Sequence, residues 1–306
     1  MAMKKSLKIL LIMLMLIGLA SSASLRGAPP PTWSIPEGIK TIEVNGYHMA
    51  YQEAGSGTPL VLLHHHPADY RTWDTQVPVF SKEYRTIAVS LRHYYPEKWD
   101  GIGDDFTIAQ HVSDVVAMIK ELNLGKVHLL GNSRGGSIAV TVASLYPELI
   151  RTLILNEPNT IPLIRETPEG QKWMANQKAS GEKVRASLAA GGREKAAQEW
   201  LASFGVAWEK VPPRNQQSLI DNIGVCTELG DRGNFSCADI QKFNFPILLV
   251  AGEKSAKLYG QMLDALRQCK PDIPAPISVP TGVHGSMHRQ NPEFFNKAIL
   301  DFLKQH

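Results

Sequence analysis

Residues 127–143 constrain the fold of this chain more than any other stretch. Val127-His128-Leu129-Leu130 reads as a buried strand, Gly131-Asn132-Ser133-Arg134-Gly135-Gly136 as a tight turn, and residues 137–143 as an apolar helix. A serine in Gly-x-Ser-x-Gly spacing between strand and helix is presented at the helix N-terminus from a sharp, strained turn. Glycine on both flanks lets strand and helix approach without a Cβ clash. The five-residue pattern alone recurs by chance in Gly-rich turns, but the strand before it and the helix after it make it a nucleophile pattern here.

The rest of the sequence supplies a sheet for that turn. Residues 41–44 and 47–54 are β-rich runs joined by Asn45-Gly46, a dipeptide that tolerates the positive φ values of a two-residue hairpin turn. Residues 59–64, 85–91, 126–130, 150–155 and 245–251 are short continuous apolar runs, suited to strands buried on both faces of a parallel sheet. Helical periods cover residues 108–122, 134–145, 257–267 and 292–303. Strand and helix alternate, so the expected class is α/β: a mostly parallel central sheet with an N-terminal antiparallel hairpin and helices on both faces. Residues 160–240 break the alternation with a long, polar, helical stretch whose expected buried positions are Trp173, Leu188, Trp200, Phe204, Leu219 and Ile223. They read as a helical cap inserted between core segments 39–159 and 241–306.

At the N-terminus, Lys4, Lys5 and Lys8 precede an apolar stretch at residues 9–20, and Ser21-Ser22-Ala23 offers small residues suited to signal peptidase. About 12 apolar residues fall short of the roughly 20 that span a bilayer. Residues 1–23 are therefore read as a signal peptide cleaved near Ala23, and the protein as exported, periplasmic or extracellular, with no stable membrane span. Residues 24–38, containing Pro29-Pro30-Pro31 and Pro36, read as an extended Pro-rich lead-in. The formal net charge of +3 is accounted for by the three N-terminal lysines, so the charge balance gives no argument for a nucleic-acid partner. With 43% hydrophobic and 20% charged residues, fibrous and disordered classes are excluded.

From Tyr47 to the C-terminus the chain resembles the α/β-hydrolase family. The resemblance rests on the elbow Gly131-Asn132-Ser133-Arg134-Gly135 and on Leu62-Leu63-His64 with Pro67 and Trp73, similar to that family's oxyanion-loop pattern. It implies Ser133 as nucleophile and the backbone N–H groups of His66 and Arg134 as an oxyanion hole. It departs at His65, where the family's usual glycine would stand, and a histidine there is expected to adopt the turn at some cost in strain. Three consecutive histidines also raise a metal hypothesis. It is set aside, because neighbouring side chains on an extended segment point apart and no carboxylate set completes a shell. His64 reads instead as a buried, hydrogen-bonded organiser of the loop. The expected partner is a small-molecule substrate, and no cofactor is implied.

The resemblance places the base in the loop before the final helix. His284 is preferred there on loop position, and His288 competes from nearer the helix. The acid is the largest departure. The family's Gly-x-x-Asp stretch reads Gly252-Glu253-Lys254-Ser255 here, and a serine can neither hold an imidazole tautomer electrostatically nor stabilise the imidazolium. Asn156-Glu157-Pro158, directly after the sixth strand, is similar to the position from which some hydrolases and dehalogenases take their acid. Glu157 is therefore expected to join Ser133 and His284, with Glu253 as the fallback.

Together these residues imply an exported serine hydrolase that cleaves a small carboxylic ester or lactone. A serine at the elbow argues against dehalogenase and epoxide-hydrolase chemistry, which uses an aspartate nucleophile in this family. Carbon–carbon bond hydrolysis, cofactor-free perhydrolysis and a catalytically weak ligand-binding member are the alternatives on the same fold. Arg71, Arg92 and Arg134 fall on loops at the strand ends that form the site in this family; a carboxylate-bearing substrate is one reading of them, and a solvated side chain is the preferred expectation for each. Trp173, Trp200, Phe204 and Trp208, like Tyr70, Trp73, Tyr94 and Tyr95, are expected to serve packing more than a substrate wall. Of Cys226, Cys237 and Cys269, the pair Cys226–Cys237 closes the shortest loop, and free buried thiols are the other reading.

Overall fold

The computed structural model describes residues 31–227 and 233–306; the expected signal peptide at 1–23 and the lead-in up to residue 30 lie outside the described residues. Eight strands form one sheet: β1 (Lys40–Val44), β2 (Tyr47–Ala54), β3 (Pro59–Leu63), β4 (Arg85–Val89), β5 (Val127–Asn132), β6 (Ile150–Asn156), β7 (Ile247–Gly252) and β8 (Ile277–Val279). Their order is β1-β2-β4-β3-β5-β6-β7-β8. Among the described residues only β1–β2 and β2–β4 pair antiparallel. The hairpin turn holds Asn45 at φ 50° and Gly46 at φ 72°, the left-handed pair that Asn-Gly tolerates best. The last strand, β8, escapes the apolar pattern because it is three residues long and only Val279 in it is buried.

The longer helices of the core are α1 (Ile108–Glu121) and α2 (Arg134–Leu145). Between β6 and β7 the cap contributes α3 (Pro168–Ala190), α4 (Arg193–Ala202) and α5 (Pro213–Asn222). α6 (Lys257–Cys269) and α7 (Pro292–Leu303) follow. Alternate residues of the central strands feed opposite faces, as the two-residue period of a strand requires. Leu60, Leu62 and Leu130 pack with Phe295, Ile299 and Leu303 of α7. Val61, Leu63 and Leu129 pack with Val112 and Val115 of α1 and with Ile138 and Val142 of α2. Among the described residues no helix is long and apolar enough to cross a membrane.

Two expectations for the cap are overturned. Phe204 is 48% exposed instead of buried, because it follows the end of α4 at the mouth of a cavity. The disulfide joins Cys237 to Cys269, not to Cys226. Cys226 is buried and free inside the short 3-10 turn Ile223–Thr227, whereas Cys237 opens a short helix that packs against α6, where Cys269 is the last residue. Sequence proximity is thus a poor guide to pairing. A bridge across this separation of 32 residues stabilises by about 3–4 kcal/mol in the chain-entropy picture.

The elbow depends on backbone contact. A Cβ on Gly135 would lie 2.5 Å from the carbonyl oxygen of Leu63 and 2.6 Å from that of His64, so α2 could not approach β3. Two buried histidines brace the loop that follows β3. The His64 imidazole accepts from the Leu91 N–H (3.1 Å) at Nε2 and bonds the His65 carbonyl (2.9 Å) through Nδ1. His288 Nε2 contacts Thr72 Oγ1 (3.0 Å) and the Thr72 carbonyl (3.1 Å).

Two outcomes follow from this packing. Gly135→Ala is expected to destabilise by about 1–3 kcal/mol through overpacking. Gly260→Ala, on α6 with nothing within 4 Å of the new methyl, is expected to stabilise, by up to about 1 kcal/mol; denaturant midpoints decide both. Burial holds the His64 pKa at about 4 and that of His288 at about 3, against an ordinary 6.5. The unfolded chain binds these protons first, so the contribution of both residues is intact above about pH 6.5 and is lost as the pH falls toward 4 and then 3. The denaturation midpoint is expected to fall across that window, and less steeply in His288→Gln.

Candidate active site

β5, β6, β7 and β8 end side by side, with Asn132 beside Asn156 and Asn156 beside Val250 in register. Ligands bind outside such carboxyl ends in open α/β sheets. Ser133 occupies the turn between β5 and α2 at φ 50°, ψ −111°, outside the ordinary allowed regions. Backbone bonds impose this conformation. The Ser133 N–H donates to the Asn156 carbonyl (3.0 Å), and the Ser133 carbonyl accepts from Asn159 N–H (2.9 Å) and Ser137 N–H (3.1 Å).

Glu157 follows β6, and its own N–H donates to the Val250 carbonyl (3.0 Å). Its side chain is 1% exposed, and each carboxylate oxygen has a partner. Oε1 accepts from the Gly252 N–H (2.8 Å), and Oε2 lies 2.8 Å from His284 Nδ1. His284 Nε2 in turn lies 3.0 Å from Ser133 Oγ. The partners imply the tautomer: Nδ1–H donates to Glu157, which leaves Nε2 free to accept the serine proton.

The alternatives lie elsewhere. The Glu253 carboxylate accepts from the Thr281 N–H (2.7 Å), while Ser255 Oγ is buried without a hydrogen-bond partner. His288 braces Thr72, away from Ser133. Asn132 Nδ2 donates to the Gly285 carbonyl (3.4 Å), so the strand that carries the serine also holds the loop that carries His284.

Tyr259 of α6 was not anticipated. Its ring stacks on His284 at a centroid distance of 3.5 Å and an interplanar angle of 8°, fixing one face of the imidazole. Burial, and after it the charge of Glu157, pushes its phenol pKa up to about 12, so it stays neutral there. A tyrosine at the third position of an amphipathic helix carries no sequence signal of this role.

His65 does not adopt positive φ, contrary to expectation. The strain is absent because the loop turns without a left-handed residue at that point. The three consecutive histidines go to separate partners: His64 to the backbone, His65 toward Asn132 Nδ2 (3.5 Å), and His66 Nδ1 to the Tyr94 hydroxyl (2.9 Å). His65, His66, Ser133 and Arg134 line one cavity of about 610 Å³ together with His284 and Tyr259.

Of the three loop arginines Arg92 and Arg134 are buried, against expectation, while Arg71 is ion-paired at the cavity wall. Arg71 pairs with Asp69 (2.7 Å) and Asp221 (3.0 Å), and Arg92 with Asp114 (2.8 Å) and Asp105 (3.1 Å). The buried Arg134 guanidinium sits 4.6 Å over the Phe106 ring, with Nη2 3.5 Å from His111 Nδ1. Each has partners that sequence position alone does not reveal. Of the cap aromatics, Trp173, Trp200 and Phe204 line the cavity, against the expectation that they serve packing. A serine hydroxyl bonded to an imidazole, itself held by a buried carboxylate, is an arrangement that can make an alcohol nucleophilic.

Comparison with known proteins places the chain. Residues 58–273 match the alpha/beta hydrolase fold family. A soluble epoxide hydrolase of Corynebacterium sp. is 33% identical over 118 residues, 37% of this chain and 38% of that one. The 2-hydroxy-6-oxo-6-(2'-aminophenyl)hexa-2,4-dienoic acid hydrolase of Metapseudomonas resinovorans is 30% identical over 118 residues, 37% of this chain and 40% of that one. The chain thus matches about two-fifths of the length of these curated relatives. The solved structure of a thermophilic esterase from Thermogutta terrifontis superposes with a TM-score of 0.69 at 22% identity, covering 87% of this chain and 98% of that one. With more than half its length matched by the family, this chain belongs to the alpha/beta hydrolase fold family.

Proposed function

We propose that the protein is an exported serine hydrolase that cleaves a small-molecule carboxylic ester or lactone through an acyl-enzyme on Ser133. The observation that carries this reading is the unbroken hydrogen-bond chain from Ser133 Oγ through His284 to Glu157, at 3.0 and 2.8 Å. His284 Nε2 takes the serine proton as Oγ attacks the carbonyl carbon. Glu157 holds the tautomer and stabilises the imidazolium that forms. The backbone N–H groups of His66 and Arg134 face the developing oxyanion, each contributing on the order of 3 kcal/mol to barrier lowering. His284 then hands its proton to the leaving alkoxide, and water, deprotonated by the same imidazole, releases the acid.

Serine at the elbow argues against the epoxide-opening chemistry named in the Corynebacterium relative, which in this family needs an aspartate nucleophile. The Cys237–Cys269 bridge supports the exported location, because such bridges persist in oxidising compartments. Carbon–carbon bond hydrolysis is the second reading, favoured by the Asn132-Ser133 elbow and by the dienoic acid hydrolase among the relatives.

A panel of p-nitrophenyl esters set against a vinylogous diketone separates the two readings. Turnover of the esters, lost in Ser133→Ala, is expected; turnover of the diketone alone would replace the ester reading with the second. Glu157→Gln is expected to lower kcat by about 10³–10⁴-fold through loss of the tautomer. Ser255→Ala, by contrast, is expected to change kcat less than about twofold, since the Ser255 hydroxyl has no hydrogen-bond partner. Exchange of those two results would remove Glu157 from the triad.

A further inference from the structure

One corner of the cavity above Ser133 brings two arginines together. Arg214, on α5 of the cap, and Arg289, in the short helix Met287–Gln290 after His284, both line it. They share a single carboxylate, Asp74. Arg214 Nη1 donates to Asp74 Oδ2, and its Nη2 donates to the Arg71 carbonyl (3.3 Å). Arg289 Nη1 donates to Asn215 Oδ1 (2.9 Å), while its Nε stays 3.8 Å from Asp74 Oδ1, beyond hydrogen-bond range.

Two guanidinium groups therefore face one carboxylate, and three hydrogen bonds engage their N–H donors, five on each. Arg71, another arginine that lines the cavity, differs in kind. Asp69 and Asp221 meet its charge, and Tyr95 stacks beneath its guanidinium at 3.6 Å. Both of those carboxylates have further donors, from Asn222 (2.7 Å) and Gln217 (3.0 Å). Burial is the main cause that lowers the Arg289 pKa; Asp74 and, more weakly, Asp69 oppose it, while the neighbouring Arg214 charge adds to it. With the Arg214 side chain 54% exposed and that of Arg289 26%, donors of both guanidinium groups stay open to the cavity, where a ligand carboxylate would accept from them with both oxygens.

We propose that Arg214 and Arg289 form a carboxylate subsite, so that the substrate is an ester bearing a second, ionised carboxyl group. This rests on the ester-hydrolase reading above. In the reaction the acyl C–O bond of the ester breaks, water supplies the new hydroxyl, and an alcohol leaves. The distal carboxylate takes no part and stays bound at the arginines. The aromatic side chains Trp173, Trp200 and Phe204 then accommodate the chain between the two ends.

The test compares monoethyl adipate with ethyl hexanoate, which have acyl chains of equal length. In Arg214→Gln and Arg289→Gln, kcat/KM for monoethyl adipate is expected to fall at least about tenfold further than for ethyl hexanoate, mainly through KM, the loss of one charge-assisted pair. Arg289→Lys is expected to recover part of the loss. Equal changes for the two esters in properly folded variants would overturn the subsite. Calorimetry on Ser133→Ala keeps the two readings apart. Binding of monoethyl adipate that disappears in Ser133→Ala/Arg289→Gln upholds the subsite even if the wild type splits neither ester. Absence of binding to Ser133→Ala removes the subsite and leaves any ester hydrolysis standing.

Discussion

The buried carboxylate of Glu157 is the group on which the site depends. Taking an ionised carboxylate out of water is expensive unless every oxygen is engaged. Here the engagement comes from two separate parts of the chain: the Gly252 N–H at the end of β7 and the imidazole of His284 after β8. One side chain thus ties the ends of two neighbouring strands, β6 and β7, to the loop after β8, and the bond to His284 also aims that imidazole at Ser133. Tyr259 closes the remaining freedom of the ring by stacking on it.

The second constraint is close backbone contact at the elbow. Gly135 lets the first turn of α2 lie against the Leu63 and His64 carbonyls. Ser133 can then hold a disfavoured φ, because the surrounding backbone bonds over-determine it. The same contact brings the start of the 64–76 loop to the serine, with His64 and His288 as its buried braces. Local strain and long-range packing are the same fact seen at two scales.

Much of this was legible in the chain. The Asn45-Gly46 turn, the apolar runs and the helical periods foretell the sheet and its helices to within a few residues, because each depends on local spacing. The elbow is legible for the same reason. Illegible were β8, too short to show a pattern; Phe204, whose exposure depends on the cavity mouth; and Tyr259, one aromatic among many on amphipathic helices. The arginines misled because a loop position says nothing about which aspartates fold up against it.

By itself the sequence determined that a strand, a Gly-lined turn and a helix would present Ser133, and that the usual position of the acid carries a serine, Ser255. These are statements about neighbours along the chain, and steric rules act there directly. The tertiary structure alone decided that Glu157, not Glu253, reaches His284, that His288 braces the Thr72 turn, that Cys237 pairs with Cys269, and that Arg214 meets Arg289. Each joins residues far apart in sequence, and only the packed sheet, with its helices and cap around it, brings such groups together.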